Sequence, residues 1–223
     1  MKLSQNEFKK RRKQNKLVLS LIGMSNTGKT FWSHKMMDVG FYHVNCDDLI
    51  ESKLGDELKL LGYSGIEDVS RWMGQPHEEH FAVNQQKYLL LEKEVMEEMF
   101  AQVANETNQN VVIDTTGSVV HLDKQICFGL KEKTFILCLD TTDDLQEKMF
   151  QQYLEQPKPV VFGELYDKHS DETNQQALAR SYQKLLEYRR TLYLQYADVV
   201  LPREKISPEL NANQFLSLIE QSL

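Results

Sequence analysis

The chain of 223 residues is 41% hydrophobic and 26% charged, and it carries a formal net charge of −7 at pH 7. This is the composition of an ordinary globular protein, and the length suits one α/β domain with insertions better than two domains. The negative charge argues against a nucleic-acid partner, because neutralising phosphates requires clustered lysine and arginine side chains.

The first residues are basic, with lysine or arginine at every position from 9 to 13. We interpret residues 1–15 as a solvated basic tail, with a nuclear address or a site for an acidic partner as open alternatives. The apolar stretch at 17–24 is too short for the core of a usual secretory signal. No other stretch has the pattern of a membrane span. The sequence therefore predicts a cytoplasmic protein without membrane association.

From residue 16 onward, short apolar runs alternate with helical patterns, and we interpret residues 16–223 as a single domain. Strands are predicted at 16–22, 41–45, 111–113, 134–139 and 198–201. Helices are predicted at 29–38, 47–53 and 142–154, with long helices starting near 78 and ending near 196, and a closing C-terminal helix. Short apolar strands of this kind are typical of a buried parallel sheet. The segment from about 155 to 173 is rich in proline, glycine and charge, and we interpret it as a flexible lid.

A glycine-rich loop with the spacing G-x-x-x-x-G-K-T joins the first predicted strand to the next helix. Its residues are Gly23, Met24, Ser25, Asn26, Thr27, Gly28, Lys29 and Thr30. In this context the backbone N–H groups of the loop and the start of the helix surround phosphates, Lys29 adds a point charge, and the Thr30 hydroxyl binds Mg²⁺. The motif therefore predicts a site for Mg²⁺ and a nucleoside triphosphate, with ATP as the expected nucleotide.

The rest of the sequence narrows the class of nucleotide-binding protein. GTPases usually recognise guanine with an N-K-x-D segment after a later strand, whereas the fourth predicted strand here is followed by Asp140-Thr141-Thr142. A motor or a large ATPase would need a longer chain. Size and loop together favour a kinase of small metabolites.

Three stretches of the chain resemble shikimate kinase and its relatives among the small P-loop kinases. They are "LIGMSNTGKT", "FYHVNCDDLIE" and "LLEYRRTLYLQYADVVL". The resemblance implies the three-layer α/β sandwich of the P-loop NTPases, with a five-stranded parallel sheet in the order 2-3-1-4-5 and a lid that closes over ATP. It also implies an ATP- and Mg²⁺-dependent enzyme that moves the γ-phosphate to a hydroxyl of a small-molecule acceptor.

The family's two carboxylates after the second strand correspond to Asn45 and Asp47. The resemblance implies that Asp47 orients the acceptor hydroxyl and helps to remove its proton. Asn45 weakens the metal-binding role of the first position, and we expect Asp114, at the end of a strand, to supply it. Two structural alternatives are open: Asp47 or Asp48 could cap a helix, and Asp114 could bond to its own turn.

The acceptor region departs further from the family pattern. The resemblance places Lys158 where the lid arginine is expected, Gly117 in the glycine-rich turn after the third strand, and Arg189 at an acceptor carboxylate. A second acceptor arginine has no counterpart near Tyr88 and Leu89, and Arg189 could alternatively be a solvated helix residue. Shikimate itself is therefore in question as the acceptor. The alternative function is a catalytically weak or inactive ATP-binding module that acts through a partner.

Overall fold

The computed structural model describes residues 3–104, 108–141, 143–156 and 158–223. Five strands form one parallel sheet. They are β1 (Val18–Ile22), β2 (Phe41–Asn45), β3 (Asn110–Asp114), β4 (Phe135–Asp140) and β5 (Val199–Pro202). Their order in the sheet is β2-β3-β1-β4-β5. The predicted order 2-3-1-4-5 is therefore confirmed.

Helices connect the strands and flank the sheet. They are α1 (Gln5–Lys13), α2 (Lys29–Met37), α3 (Cys46–Leu60), α4 (Ile66–Met73), α5 (Phe81–Ala104), α6 (Lys124–Lys133), α7 (Asp143–Glu155), α8 (Asn174–Tyr196) and α9 (Ala212–Gln221). The sequence did not predict α1, α4 or α6, and α3 is longer than expected. Position 142, where the helix before the lid was expected to start, lies outside the described residues. The described part of the chain contains no helix with both the length and the apolar character needed to cross a membrane.

The sheet is buried on both faces because alternate strand residues join two apolar clusters. Leu19 and Leu21 of β1 belong to the cluster that includes α1, α2 and α9. Ile22 of β1 and Ile113 of β3 belong to the larger cluster, to which α3, α4, α5 and α8 contribute. This alternation follows from the two-residue period of a strand. The result is the three-layer α/β sandwich that the sequence predicted.

The N-terminal segment is not the solvated tail that its charge suggested. Residues 5–13 form α1, which is capped by Ser4 and packs against α9. Phe8 is fully buried, and its ring lies 5.3 Å from that of Phe135 in an edge-on arrangement. The basic side chains occupy the outer side, where Lys9 pairs with Glu220 at 2.5 Å. The prediction of a solvated tail is therefore wrong, because Phe8, next to the basic run, anchors the helix in the core. Residues 1–2 lie outside the described part.

The predicted lid is packed against the body of the protein from residue 158 onward. The backbone N–H groups of Phe162 and Gly163 both donate to Gln85 Oε1 on α5, at 2.7 and 2.9 Å. Further along, Arg180 of α8 bonds to both Asp167 and Glu172. These contacts fix the segment between α5 and α8. Position 157 of the predicted lid lies outside the described residues.

Candidate active site

The topology of the sheet brings three chemically important segments to one edge. Strands β1, β2 and β3 are adjacent and parallel, so their carboxyl ends meet at the same edge, where ligands of open α/β sheets bind. The glycine loop follows β1, Asp47 follows β2, and Asp114 ends β3. In the register of β2 and β3, Asn45 lies opposite Asp114. Residues far apart in sequence therefore meet at a single site.

The glycine loop adopts the tight conformation that its sequence requires. Gly23 and Gly28 have φ values of 144° and 97°, and Asn26 between them has a φ of 63°. A Cβ atom on Gly23 would lie 2.6 Å from the carbonyl oxygen of Leu139. Gly28 precedes α2 without a side-chain cap, so the first N–H groups of the helix are left for a ligand. The loop thus has the features of an anion-binding cradle.

The side chain of Lys29 is buried inside this loop, with 8% of its surface exposed. Its Nζ donates to the carbonyl oxygens of Gly23 and Met24, each at 2.9 Å. Burial lowers the pKa of Lys29, while the nearby charges of Asp114 and Asp47 oppose this effect. An ammonium group held by neutral carbonyls next to an open cavity is well placed to attract a phosphate.

A cavity of about 440 Å³ opens beside the loop. The predicted site residues that line it are Ser25, Asn26, Gly28, Lys29, Thr30, Asp47, Asp114, Gly117 and Lys158. Gly23, Met24 and Thr27 belong to the loop that frames the cavity, and Arg189 lies behind Gly117. The structure therefore brings most of the predicted residues to one cavity.

Asp47 does not cap α3. That role belongs to Asn45, whose Oδ1 accepts from the backbone N–H groups of Asp47 and Asp48 at 3.0 and 3.4 Å. The Asp47 carboxylate is thereby left facing the cavity, where the Tyr88 hydroxyl donates to it over 3.0 Å. Burial raises the pKa of Asp47, and Lys29 and the Tyr88 hydrogen bond lower it in part. A carboxylate tuned in this way suits the role of a general base.

Asp114 lies at the end of β3 with 3% of its surface exposed and lines the same cavity. Within the described residues, no N–H of its own turn bonds to its carboxylate. Among the basic side chains of the described residues, only His43 lies within ion-pair distance of Asp114, with its Nε2 3.9 Å from Oδ2. The described residues contain no group of three or more histidine, cysteine or acidic side chains arranged around a metal ion.

Arg189 is buried, not solvated, so that alternative is wrong. Its Nε donates to His121 Nε2 at 3.0 Å, and its Nη2 donates to the carbonyl oxygen of Val161 at 2.7 Å. A Cβ atom on Gly117 would lie 3.3 Å from Nη1. Burial and the positive charge of Arg189 lower the pKa of His121 to about 3, so the imidazole is neutral at pH 7.

Sequence reasoning missed two residues of this region. Glu92 is fully buried below the turn after β3, and burial raises its pKa to about 7. Its position four residues after Tyr88, on the apolar stripe of α5, was a signal that it points inward. Arg203, after β5, lines the cavity and donates to the Thr27 carbonyl oxygen at 3.3 Å. No motif in the sequence points to Arg203.

No protein-family model matches the chain, and no curated protein sequence matches it significantly. Solved structures do match over most of its length. The shikimate kinase of Acinetobacter baumannii, in complex with shikimate, has a TM-score of 0.59 at 20% identity, covering 96% of this chain and 95% of that one. The shikimate kinase of Aquifex aeolicus has a TM-score of 0.52 at 17% identity, covering 92% and 97%. That of Bacteroides thetaiotaomicron has a TM-score of 0.52 at 14% identity, covering 92% and 94%. The chain therefore has the small P-loop kinase fold of the shikimate kinases.

Proposed function

We propose that this protein is a cytoplasmic ATP- and Mg²⁺-dependent phosphotransferase that moves the γ-phosphate of ATP to a hydroxyl of a small metabolite. The observation that carries the proposal is that Lys29, Asp47 and Asp114 line one cavity at the carboxyl edge of the sheet. A phosphate cradle, a candidate base and a candidate metal ligand are the parts that phosphoryl transfer requires. The fold shared with the shikimate kinases supports the same conclusion.

The residues present fit a magnesium nucleotide. The uncapped start of α2 and the buried Lys29 ammonium offer N–H donors and positive charge to phosphate oxygens. Thr30 and Asp114 offer one hydroxyl and one carboxylate to Mg²⁺, which usually binds through few protein ligands together with substrate phosphates. When bound, the ion neutralises phosphate charge and aligns the phosphate chain.

On the acceptor side, Asp47 orients the acceptor hydroxyl and accepts its proton. The Tyr88 hydroxyl holds the carboxylate in place, and the partly exposed Lys158 adds positive charge at the same cavity. Lysine supplies a point charge without the two-pronged geometry of arginine, so it orients the transferring phosphate less strictly. Gly117 lines the same cavity, and its lack of a side chain leaves room for Arg189 Nη1 and Ser25 Oγ.

The test is a coupled ADP-release assay of purified protein with Mg²⁺ and ATP against a panel of hydroxyl-bearing metabolites. At least one acceptor should give turnover of about 1 s⁻¹ or more, within the usual range for enzymes. Lys29→Met should suppress that turnover far more than it lowers the thermal unfolding midpoint, because Lys29 serves the loop and not the core.

The alternative is an ATP-binding module with little or no catalysis, and Lys158 at the position expected for an arginine favours it. In that case ATP would bind to the protein, Lys29→Met would abolish binding, and no acceptor would stimulate ADP release. Binding measured by titration calorimetry, set beside the turnover assay, distinguishes the two functions.

A further inference from the structure

The carboxylate of Glu92 is fully buried beneath the turn that follows β3. It accepts hydrogen bonds from two hydroxyls of that turn: Oε1 from Thr116 Oγ1, and Oε2 from Ser118 Oγ at 2.7 Å. Within the described residues, no lysine, arginine or histidine lies within ion-pair distance of it. A buried carboxylate without a counter-ion carries a desolvation cost. The hydrogen bonds from Thr116 and Ser118 therefore offset this cost, and both hydroxyls lie on the same turn.

The same turn is held by a hydrogen bond within itself and by a hydrogen bond to the sheet. The Ser118 N–H donates to Thr116 Oγ1 at 3.1 Å, which closes the turn on itself. One residue earlier, Thr115 Oγ1 donates to the carbonyl oxygen of Leu21 at the end of β1, at 2.7 Å. The turn is thus fixed on one side to β1 and on the other side to α5 through Glu92.

Gly117 lies between the two residues that Glu92 holds, and it contacts both halves of the site. The Tyr193 hydroxyl donates to its carbonyl oxygen at 2.5 Å. A Cβ atom at this position would lie 3.3 Å from Arg189 Nη1 and 3.6 Å from Ser25 Oγ in the glycine loop. Any shift of the turn therefore changes the distances of Gly117 from the glycine loop and from Arg189.

We propose that Glu92 is a positioning residue for phosphotransfer: by holding the hydroxyls of Thr116 and Ser118, it fixes Gly117 against Ser25 and Arg189. The inference rests on the proposed function, for which the spacing of the two substrates matters. Glu92 lies on α5, outside the cavity. It would nevertheless control the position of the turn that lies between the glycine loop and Arg189.

Two pairs of variants test this role. Glu92→Met removes both acceptors at similar volume, and Glu92→Gln keeps a hydrogen-bonding group. Thr116→Val removes the hydroxyl from the other side, and Thr116→Ser keeps it. Glu97→Gln, an exposed carboxylate on the same helix, is the matched control. The measurements are kcat and the ATP KM in the ADP-release assay, amide hydrogen exchange at Ser118, and the thermal unfolding midpoint.

We expect Glu92→Met and Thr116→Val to lower kcat at least about tenfold, because small misplacements of reacting groups are costly. The ATP KM should stay within about threefold, and exchange at Ser118 should rise at least about tenfold, since the acceptor or its support is lost. Glu92→Gln, Thr116→Ser and Glu97→Gln should keep kcat within about threefold of the wild-type value.

A fall in thermal midpoint with unchanged kcat in the folded variants would reduce Glu92 to a structural role and overturn the inference. If Glu92→Met does not fold, Thr116→Val and Thr116→Ser decide by themselves. If the wild-type protein shows no Lys29-dependent turnover, the proposed function fails. In that case amide exchange at Ser118 still tests whether Glu92 and Thr116 hold the turn in place. Unchanged exchange in Thr116→Val would refute that role.

Discussion

The hydroxyl of Tyr88 donates a hydrogen bond to Oδ1 of Asp47 over 3.0 Å, joining the long helix α5 to the first turn of α3. Tyr88 is almost fully buried, with 2% of its surface exposed. A tyrosine on the apolar stripe of a helix thus fills the core with its ring and holds the candidate base with its hydroxyl. This bond stabilises the charged form of the carboxylate and lowers its pKa.

Tyr88→Phe should therefore raise the pKa of Asp47 and move the acidic limb of the pH–rate profile to higher pH. The base must be deprotonated to accept the hydroxyl proton, so activity at low pH should fall more than activity at high pH. The measurement is kcat/KM from about pH 5 to 9. Asp47→Asn is the control: it should slow transfer greatly at every pH. An acidic limb unchanged in Tyr88→Phe would contradict the assignment of Asp47.

The two carboxylates of the cavity should respond differently to magnesium. Asp114→Asn should raise the Mg²⁺ concentration needed for half-maximal activity, because it replaces a charged candidate ligand with a neutral amide. Asp47→Asn should keep Mg²⁺·ATP affinity within a few fold and should greatly slow transfer. Titration of activity against Mg²⁺ for each variant measures this division of roles, and identical metal profiles would refute it.

Glu92 should make the protein less stable as pH rises from about 4.5 to 7. Its pKa is raised from 4.5 to about 7 in the folded state, so between these values the folded state binds more protons than the unfolded state. The free energy of unfolding then falls with pH, by up to about 3 kcal/mol from this residue.

His121 acts in the opposite direction, because its pKa is lowered from 6.5 to about 3, so its contribution to stability is lost as pH falls below 6.5. The comparison of wild type with Glu92→Gln, by urea unfolding at several pH values, isolates Glu92. The stability gained by the variant should grow from pH 4.5 to 7. The exposed Glu97→Gln should show no such trend, and parallel curves for wild type and Glu92→Gln would count against the raised pKa.

Shikimate should be a poor acceptor or none. Arg189 already bonds to His121 and to the Val161 carbonyl oxygen. The second arginine expected early on the long helix has no counterpart near Tyr88 and Leu89. A carboxylate held by one arginine at most is positioned less rigidly than one held by two. The test is ADP release with saturating ATP and millimolar shikimate, with Arg189→Ala in parallel. Turnover at tens per second with a sub-millimolar KM, a range usual for metabolic enzymes, would make this protein a shikimate kinase.

The sequence predicted the sheet well because short apolar runs mark strands that are buried on both faces. The bounds of β2 at Phe41–Asn45 agree with the prediction, and β1, β3, β4 and β5 differ by a few residues at their ends. Helices were harder to predict in segments rich in charged residues. In α1 a single buried Phe8 lies among basic residues, and the composition of the run outweighed that one apolar signal.

The candidate site was predictable where a motif fixes the backbone, as in the loop from Gly23 to Thr30. It was not predictable where the environment of a side chain depends on tertiary contacts. Glu92 is one of several acidic residues on α5, and only its place on the buried stripe distinguishes it. The cap of α3 shows the same limit, because Asn45 and Asp47 are both good capping residues by type. Only the geometry assigns that role to Asn45.

The central place of β1 in the sheet has a consequence for how the protein acquires its shape. Val18 pairs with Val111 and Leu19 pairs with Phe135, so both neighbours of β1 arrive from far along the chain. Contacts of such sequence separation slow folding. Gly23 packs against the carbonyl oxygen of Leu139, which is synthesised more than a hundred residues after the glycine loop. A nucleotide that recognises the finished loop would therefore stabilise the completed sheet and could not guide its assembly.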